Sequence, residues 1–434
     1  MEEGQRVLCL TKVEKKAWTQ ECRRMWQDIF LDEDTYMEYY DHCKWRENQV
    51  WVLVDSEEIT HTVRQQAGEK TEIRVTPQKH RLCAMLHLNP YRVNWKNQWE
   101  ALHYIVGVCT REEYRHRGYM ARVLHCALEQ MCQQEEPWTY LMPAAEEIYL
   151  PFGFVPVSRV KTVVITGKML SGISVTGAYE MKSYQSLEKR EKRALCELCQ
   201  RLLDVQYDAF VLHDEAYFEE KVQEMQSCGG EVLVCRKKGK IIGYMEYMFD
   251  SRCEPAIESP EWMIDKAEMS GTEPLQFFKL LHREICKRKG IREKEISMLL
   301  SETGFLPEQL RTCVTPRQEK TLIMARVVNF GKAAGQLQRP EGWPQEVLLQ
   351  IEDDVLTENS GLWHLSFWED IHASGQEGKE GTAYAMEKPG KKEDACKVEK
   401  LSEGCRQIPD YSLSLGEFTR LLFAQESVYI NDLV

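Results

Sequence analysis

No stretch of the chain approaches the run of about eighteen apolar residues that a membrane-spanning helix needs, so none is expected. The opening, MEEGQRVLCLTKVEKK, lacks a basic start, a long apolar run and a small-residue cleavage site, so no signal peptide is expected there. The sixteen cysteines follow no framework spacing. Many, such as Cys83, Cys109 and Cys126, sit among apolar neighbours, which predicts buried, reduced thiols in a cytoplasmic protein. The eleven histidines form no HExxH or related ligand pattern. Cys196-x-x-Cys199 has no second pair, and His116 and His125 read as loop and helix surface, so no metal site is expected. A basic excess is missing too. The formal net charge of −13 argues against nucleic acid or an anionic membrane as the main partner, since both repel it. Carboxylates lining a cleft would instead favour cationic ligands. With 43% hydrophobic and 29% charged residues, disorder, collagen and coiled coil are poor readings of the whole chain.

What remains is a globular chain. At about 150 residues per domain, 434 residues suggest about three domains, with more than one sizeable core. In the first third, Trp18, Cys22, Met25, Trp26, Ile29 and Phe30 recur at helical spacing. Gln49–Asp55, Arg81–Leu88, His103–Thr110 and Thr139–Met142 read as strands. Met120, Val123, Leu124, Ala127, Leu128 and Met131 lie on one face of a helix that follows Gly118. Near Val157 the texture changes. Val160–Thr166 reads as a strand, Leu187–Leu203 as a charged helix, Glu231–Met248 as a hairpin turning at Lys238-Gly239, and Pro274–Lys287 as a helix. The last third has strands from Thr321, at Val347–Glu352 and at Gly361–Trp368, and a capping box, Ser414 to Glu417, opening a helix through Phe423. Ala373–Lys397, rich in Gly, Lys and Glu, reads as an exposed or disordered insertion.

The stretch that carries chemistry runs from Val106 to Phe154: a strand, a basic glycine turn (Arg115-His116-Arg117-Gly118-Tyr119-Met120), then a helix. Such a turn suits an anion. Gly118 permits close approach, free amides and the helix dipole favour negative charge, and Arg115 and Arg117 add to it. A pyrophosphate is the natural guest. The spacing is neither the Walker loop nor GxGxxG, which disfavours nucleoside triphosphates and nicotinamide cofactors. A plain strand–turn–helix connection with solvated arginines is the alternative.

This stretch resembles the GNAT acetyltransferases, whose pyrophosphate loop reads Arg/Gln-x-x-Gly-x-Gly/Ala. Arg115 and Gly118 match, and Met120 departs from the final small residue. The run from TREEYRHRGYM to EEIYLPFGF is similar to the enhanced intracellular survival (Eis) family of GNAT proteins, which tolerates bulkier residues there. The resemblance implies an α+β fold in three domains. Two are tandem GNAT-like domains, mixed sheets with flanking helices, at residues 1–156 and 157–315. A sterol-carrier-protein-like α/β domain follows at 316–434, its C-terminus reaching the active site. It also implies N-acetyl transfer from acetyl-CoA, as co-substrate, to a primary amine of a cationic acceptor (aminoglycoside, polyamine or lysine-like). Direct attack in a ternary complex is implied, in a ring-like homo-oligomer such as a hexamer. The alternatives are a non-catalytic CoA- or lipid-binding module and an inactive interaction protein.

By the same resemblance Val108, Cys109 and Thr110 face acetyl-CoA, His116 to Ala121 (including Tyr119 and Met120) hold the pyrophosphate beside Arg115, and Ala144 and Ala145 line the cofactor. Strand core is the ordinary reading of Val108 and Cys109, and Cys109 pairs with no base, so it is not read as a nucleophile. Tyr149, in Ile148-Tyr149-Leu150-Pro151-Phe152-Gly153-Phe154, is the implied general acid: a phenol of pKa about 10 protonates the departing thiolate. Packing beside Phe152 and Phe154 is the alternative. The α-carboxylate of Val434 is the implied base, against the ordinary fate of a frayed terminus. For the acceptor, Phe30, Asp32, Asp34, Tyr36 and Tyr40 mix carboxylates and aromatics in the manner that suits an organic cation. A solvated acidic helix start explains them equally well.

Overall fold

The computed structural model describes residues 5–56, 76–77, 80–176, 178–249, 256–269, 271, 273–293, 297–302, 315–368, 395–402, 407–424 and 426–430. Strand β1 (Gln5–Cys9) leads into two helices, α1 (Lys12–Phe30) and α2 (Asp34–Cys43). Thr11 and Glu14 form a capping box at the start of α1. β2 (Gln49–Ser56), β3 (His80–Trp95) and β4 (Gln98–Thr110) follow as an antiparallel meander. Helix α3 (Tyr119–Gln133) crosses the sheet to β5 (Trp138–Leu141), which joins β4 in parallel, and the short α4 (Glu146–Tyr149) comes next. The apolar face expected for α3 is the one it buries: Val123, Leu124, Ala127, Leu128 and Met131 are 1% exposed or less. Each of the larger aliphatic side chains contributes about 2 kcal/mol.

The middle of the chain comprises β6 (Val155–Thr166), α5 (Gly167–Leu170), β7 (Tyr179–Ser183), α6 (Lys189–Gln206), β8 (Ala209–Val211), α7 (Glu215–Ser227), β9 (Glu231–Lys237) and β10 (Lys240–Phe249). It ends with β11 (Ala256–Ser259), β12 (Trp262–Ile264), α8 (Glu273–Lys289) and β13 (Ser297–Glu302). The β9–β10 hairpin turns at Lys238-Gly239, both at positive φ (49° and 85°), as the sequence anticipates.

The last segment opens with β14 (Thr315–Val327), a long strand that returns to the first sheet and lies between β5 and β6. The sheet thus runs β1-β2-β3-β4-β5-β14-β6-β13-β11-β10-β9-β7. Both β6 and β14 therefore sit across the expected boundaries near 156 and 315. Then come α9 (Phe330–Ala334), β15 (Glu346–Glu352), β16 (Gly361–Phe367), β17 (Cys396–Lys400), β18 (Tyr411–Ser414), α10 (Leu415–Phe423) and β19 (Val428–Tyr429). A separate four-stranded sheet, β17-β16-β15-β18, lies within residues 316–434. Most of the expected insertion at Ala373–Lys397 lies outside the described residues; its end, Cys396–Lys397, is edge strand because it pairs with Ser366 and Phe367. β19 pairs with β8, which pairs with the far end of β3, so the tail is docked through Ile430, 1% exposed.

Among the described residues, no helix is long and apolar enough to cross a membrane, and no group of three or more His, Cys, Asp or Glu side chains is arranged to hold a metal.

Candidate active site

β4 and β5 pair in parallel at Tyr104–Tyr140 and Ile105–Leu141, and then they part. The next residues of each, Val106-Gly107-Val108 and Met142-Pro143-Ala144, line one cavity of about 1010 Å³. The parting has a local cause. The ladder to β3 skips between Met85–Cys109 and His87–Val106, so β4 carries a bulge at Gly107 and Val108. Gly107 has φ +61°, and a Cβ there would lie 2.2 Å from Cζ3 of Trp26. Glycine therefore meets both the left-handed backbone and the indole laid across it. Trp26 is held in place because its Nε1 donates to Oδ2 of Asp32 at 2.8 Å.

The first third of the chain supplies Trp26, Phe30, Asp32, Glu33, Tyr36 and Tyr149 to the cavity wall. The middle of the chain closes the opposite side with Glu224 and the stretch Gln226 to Gly229 at the end of α7, Phe249 of β10 and Glu258 of β11. Met225, between them, turns into the core instead and is 1% exposed. Asp32, Glu33, Glu224 and Glu258 bring four carboxylates to the lining, and no Lys, Arg or His lines it among the described residues. Glu224 is met from behind by Lys221 at 3.0 Å. Burial, with the charges of Glu224 and Asp32, pushes the Tyr36 phenol well above its ordinary range, so it stays neutral.

Tyr149 closes α4 and is 6% exposed. Its ring stands edge-on to Phe154, centroids 5.9 Å apart. Among the described residues its hydroxyl has no hydrogen-bond partner, although the side chain lines the cavity. Burial, aided by Cys109, pushes its pKa up to about 12. Cys109 itself points into the core and is 5% exposed; burial raises its pKa well above the usual thiol value and keeps it a thiol.

Past β4 a single turn, Glu112–Tyr114, leads into the basic loop. His116 (φ +61°) and Gly118 (φ +72°) turn the backbone into α3, which has no side-chain cap. The six amides from His116 to Ala121 have no acceptor among the described residues. Arg115, His116 and Arg117 are exposed. Arg115 Nε donates to the carbonyl of Thr110 at 3.3 Å, and Arg117 lies over the Tyr114 ring at 5.6 Å. A Cβ on Gly118 would meet nothing within 4 Å, so the space beside it is open.

Of the expected site residues, Phe30, Asp32, Tyr36, Val108, Ala144 and Tyr149 meet in the cavity. Thr110, Ala145 and the loop residues lie outside its lining. Two expectations need correction. Asp34 faces away: its carboxylate accepts from Arg23 at 3.0 Å and Gln27 at 3.1 Å. Tyr40, one turn below Tyr36, is fully buried, its hydroxyl 2.9 Å from Nδ1 of His87. Tyr119 keeps its expected place through its amide, while its ring is buried and stacked on Tyr114 at 5.8 Å. Val434 lies outside the described residues. Sequence reasoning missed Trp26 and Gly107 as site residues, and also Glu224 and Glu258. A glycine inside the strand VGVCT was the available signal for the bulge.

Residues 12–157, about a third of the chain, match the family model described as "Acetyltransferase (GNAT) domain". No curated protein matches the chain by sequence. The fold is similar to that of a protein of Enterococcus faecalis V583 described as of unknown function and "Probable N-Acyltransferase". Identity is 16% and the TM-score 0.65, over 97% of this chain and 90% of that one. It is similar also to a GCN5-related N-acetyltransferase of Anabaena variabilis ATCC 29413 (16%, TM-score 0.64, 99% and 100%). A third is Eis1 of Mycobacterium abscessus (11%, TM-score 0.55, 95% and 88%). These likenesses are of fold, so the expected place in the Eis family stays a proposal. By the domain match, the chain is an acyltransferase enzyme with a GNAT acetyltransferase domain.

Proposed function

We propose that the chain transfers an acetyl group from acetyl-CoA to a primary amine of a cationic acceptor, by direct attack. The observation that carries this is the parting of β4 from β5 around a cavity that Tyr149 also lines. Acetyl-CoA supplies an activated thioester with a pyrophosphate-bearing handle. The residues present fit it. The amides from His116 to Ala121, which span the turn before α3 and its first turn, suit the two phosphates, with Arg115 and Arg117 beside them. From there β4 leads back through Thr110 to Val108 at the cavity, so the bulged strand guides the acyl end toward Tyr149.

Calorimetry tests the first half of this reading. Acetyl-CoA should bind with an affinity that falls as salt is raised, because exposed arginines meet phosphate. Gly118→Ala, which strains a left-handed position, should weaken binding about fivefold, in line with the roughly 1 kcal/mol cost of that conformation. An absence of heat release in the wild type would end the reading.

On the acceptor side, Asp32, Glu33, Glu224 and Glu258 favour an ammonium, and the aromatic rings of Trp26, Phe30 and Tyr36 offer it π faces. Asp32→Asn keeps an acceptor for Trp26 but removes a charge. The expected result is a KM for a diamine raised about three- to tenfold, with that for acetyl-CoA unchanged and the difference shrinking at high salt. An equal rise for a neutral amine would refute charge recognition. In the transfer itself, the neutral amine bonds to the thioester carbon and gives up its proton to water, and as the C–S bond breaks the protonated Tyr149 hydroxyl donates to the departing thiolate.

A further inference from the structure

The turn that carries Tyr149 is short, with one turn of α-helix, Glu146–Tyr149, followed by a 3-10 turn, Leu150–Phe152. Its own hydrogen bonds are few, so its aim depends on what grips it. β14 provides that grip at both ends. At the head, the Thr321 hydroxyl donates to Oε1 of Glu146. At the tail, Arg326, fully buried, donates from Nη1 to the carbonyl of Phe152. Its second terminal nitrogen, Nη2, makes a two-pronged contact with Asp353 at 2.9 and 2.8 Å. Asp353 is fixed in turn by the amides of Val355 (3.0 Å) and Leu356 (3.1 Å) and by Nδ2 of Asn359 (2.9 Å). The fit at the tail is close: Gly153 has φ +78°, and a Cβ there would lie 2.6 Å from Nη1 of Arg326. The strand that does this belongs to the last third of the chain, more than 170 residues beyond Glu146.

We propose that Thr321 and Arg326 are positioning residues, through which β14 sets the aim of the Tyr149 hydroxyl at the departing thiolate. This rests on Tyr149 being the proton donor. Neither residue lines the cavity, so neither is expected to touch substrate. Arg326 is an unsuitable first variant, because its loss strands a buried Asp353 carboxylate and threatens the fold. Thr321→Val is milder, and Thr321→Ser keeps the hydroxyl.

The test is a kinetic cycle on the full chain. Thr321→Val should lower kcat about tenfold, since an ångström of misplacement costs up to about a hundredfold. The KM for acetyl-CoA should stay within about twofold. Thr321→Ser should restore kcat, and in a Tyr149→Phe background Thr321→Val should change kcat by less than about twofold. Equal losses in the two backgrounds would overturn the proposal, because the hydroxyl would then act on something other than Tyr149. So would an unchanged kcat in Thr321→Val when Tyr149→Phe alone is slow. If Tyr149→Phe alone leaves kcat intact, the donor assignment itself has failed, and this inference with it. Should Thr321→Val not fold, Glu146→Ala removes the same bond together with the 3.6 Å ion pair to Arg159, and an Arg159→Ala control, which keeps the Thr321 bond, separates the two.

Discussion

Tyr149→Phe should lower kcat about a hundredfold or more while leaving acetyl-CoA affinity within about twofold. General acid groups contribute about 10²–10⁴ to rate, and only one oxygen is lost. The structure makes this variant informative. The hydroxyl has no hydrogen-bond partner among the described residues, so removing it leaves no orphaned group behind. The ring's edge contact with Phe154 is kept. A change in melting temperature is therefore not expected, and a slow variant is slow for chemical reasons. The pH profile follows from the same position. Burial holds the phenol near pKa 12, so the donor form is full at every ordinary pH. Activity should rise with pH as the acceptor amine loses its proton, with no falling limb from this group until the pH nears 12. A falling limb at about pH 8–9 that disappears in Tyr149→Phe would show that the phenol titrates elsewhere and would discredit its role as described.

Gly107→Ala is the second large effect. The new methyl would sit 2.2 Å from the Trp26 ring, at a backbone φ of +61°. The left-handed conformation costs about 1–2 kcal/mol for a residue with a Cβ. Overpacking adds about 1–3 kcal/mol. A loss of about 2–5 kcal/mol on chemical denaturation is expected, together with more than tenfold weaker acetyl-CoA binding as the bulge relaxes. The two costs separate. Trp26→Leu should recover the packing part in the Gly107→Ala background and leave the backbone part. A Gly107→Ala protein as stable as wild type would mean that the bulge is not fixed as described.

Local pattern made much of this molecule legible. The apolar face of α3, the loop from Arg115 to Gly118, the Lys238-Gly239 turn and the Ser414 capping box all stand where periodicity and turn chemistry put them. Tyr36 and Tyr40 show the limit. They share a helical face, but one meets the cavity and the other lies a turn deeper against His87, and spacing alone does not distinguish those depths. Glu224 and Glu258 were invisible as site residues for a different reason. Nothing in their neighbourhoods differs from an ordinary helix end or strand; they reach the cavity only because the middle of the chain packs across it. The place of β14 is likewise a long-range pairing choice, which no window of sequence records.

That strand also governs how the molecule is made. The sheet holding β4 and β5 is completed by residues that leave the ribosome only after some 170 others have followed β5. Until then the edge of β5 has no partner, and an unpaired edge invites pairing with other nascent chains. Joining ends so distant in sequence also slows folding, because the entropy of closing the loop is lost before the contacts form. Biosynthesis thus imposes a waiting period, in which the amino-terminal third has been translated but cannot yet mature.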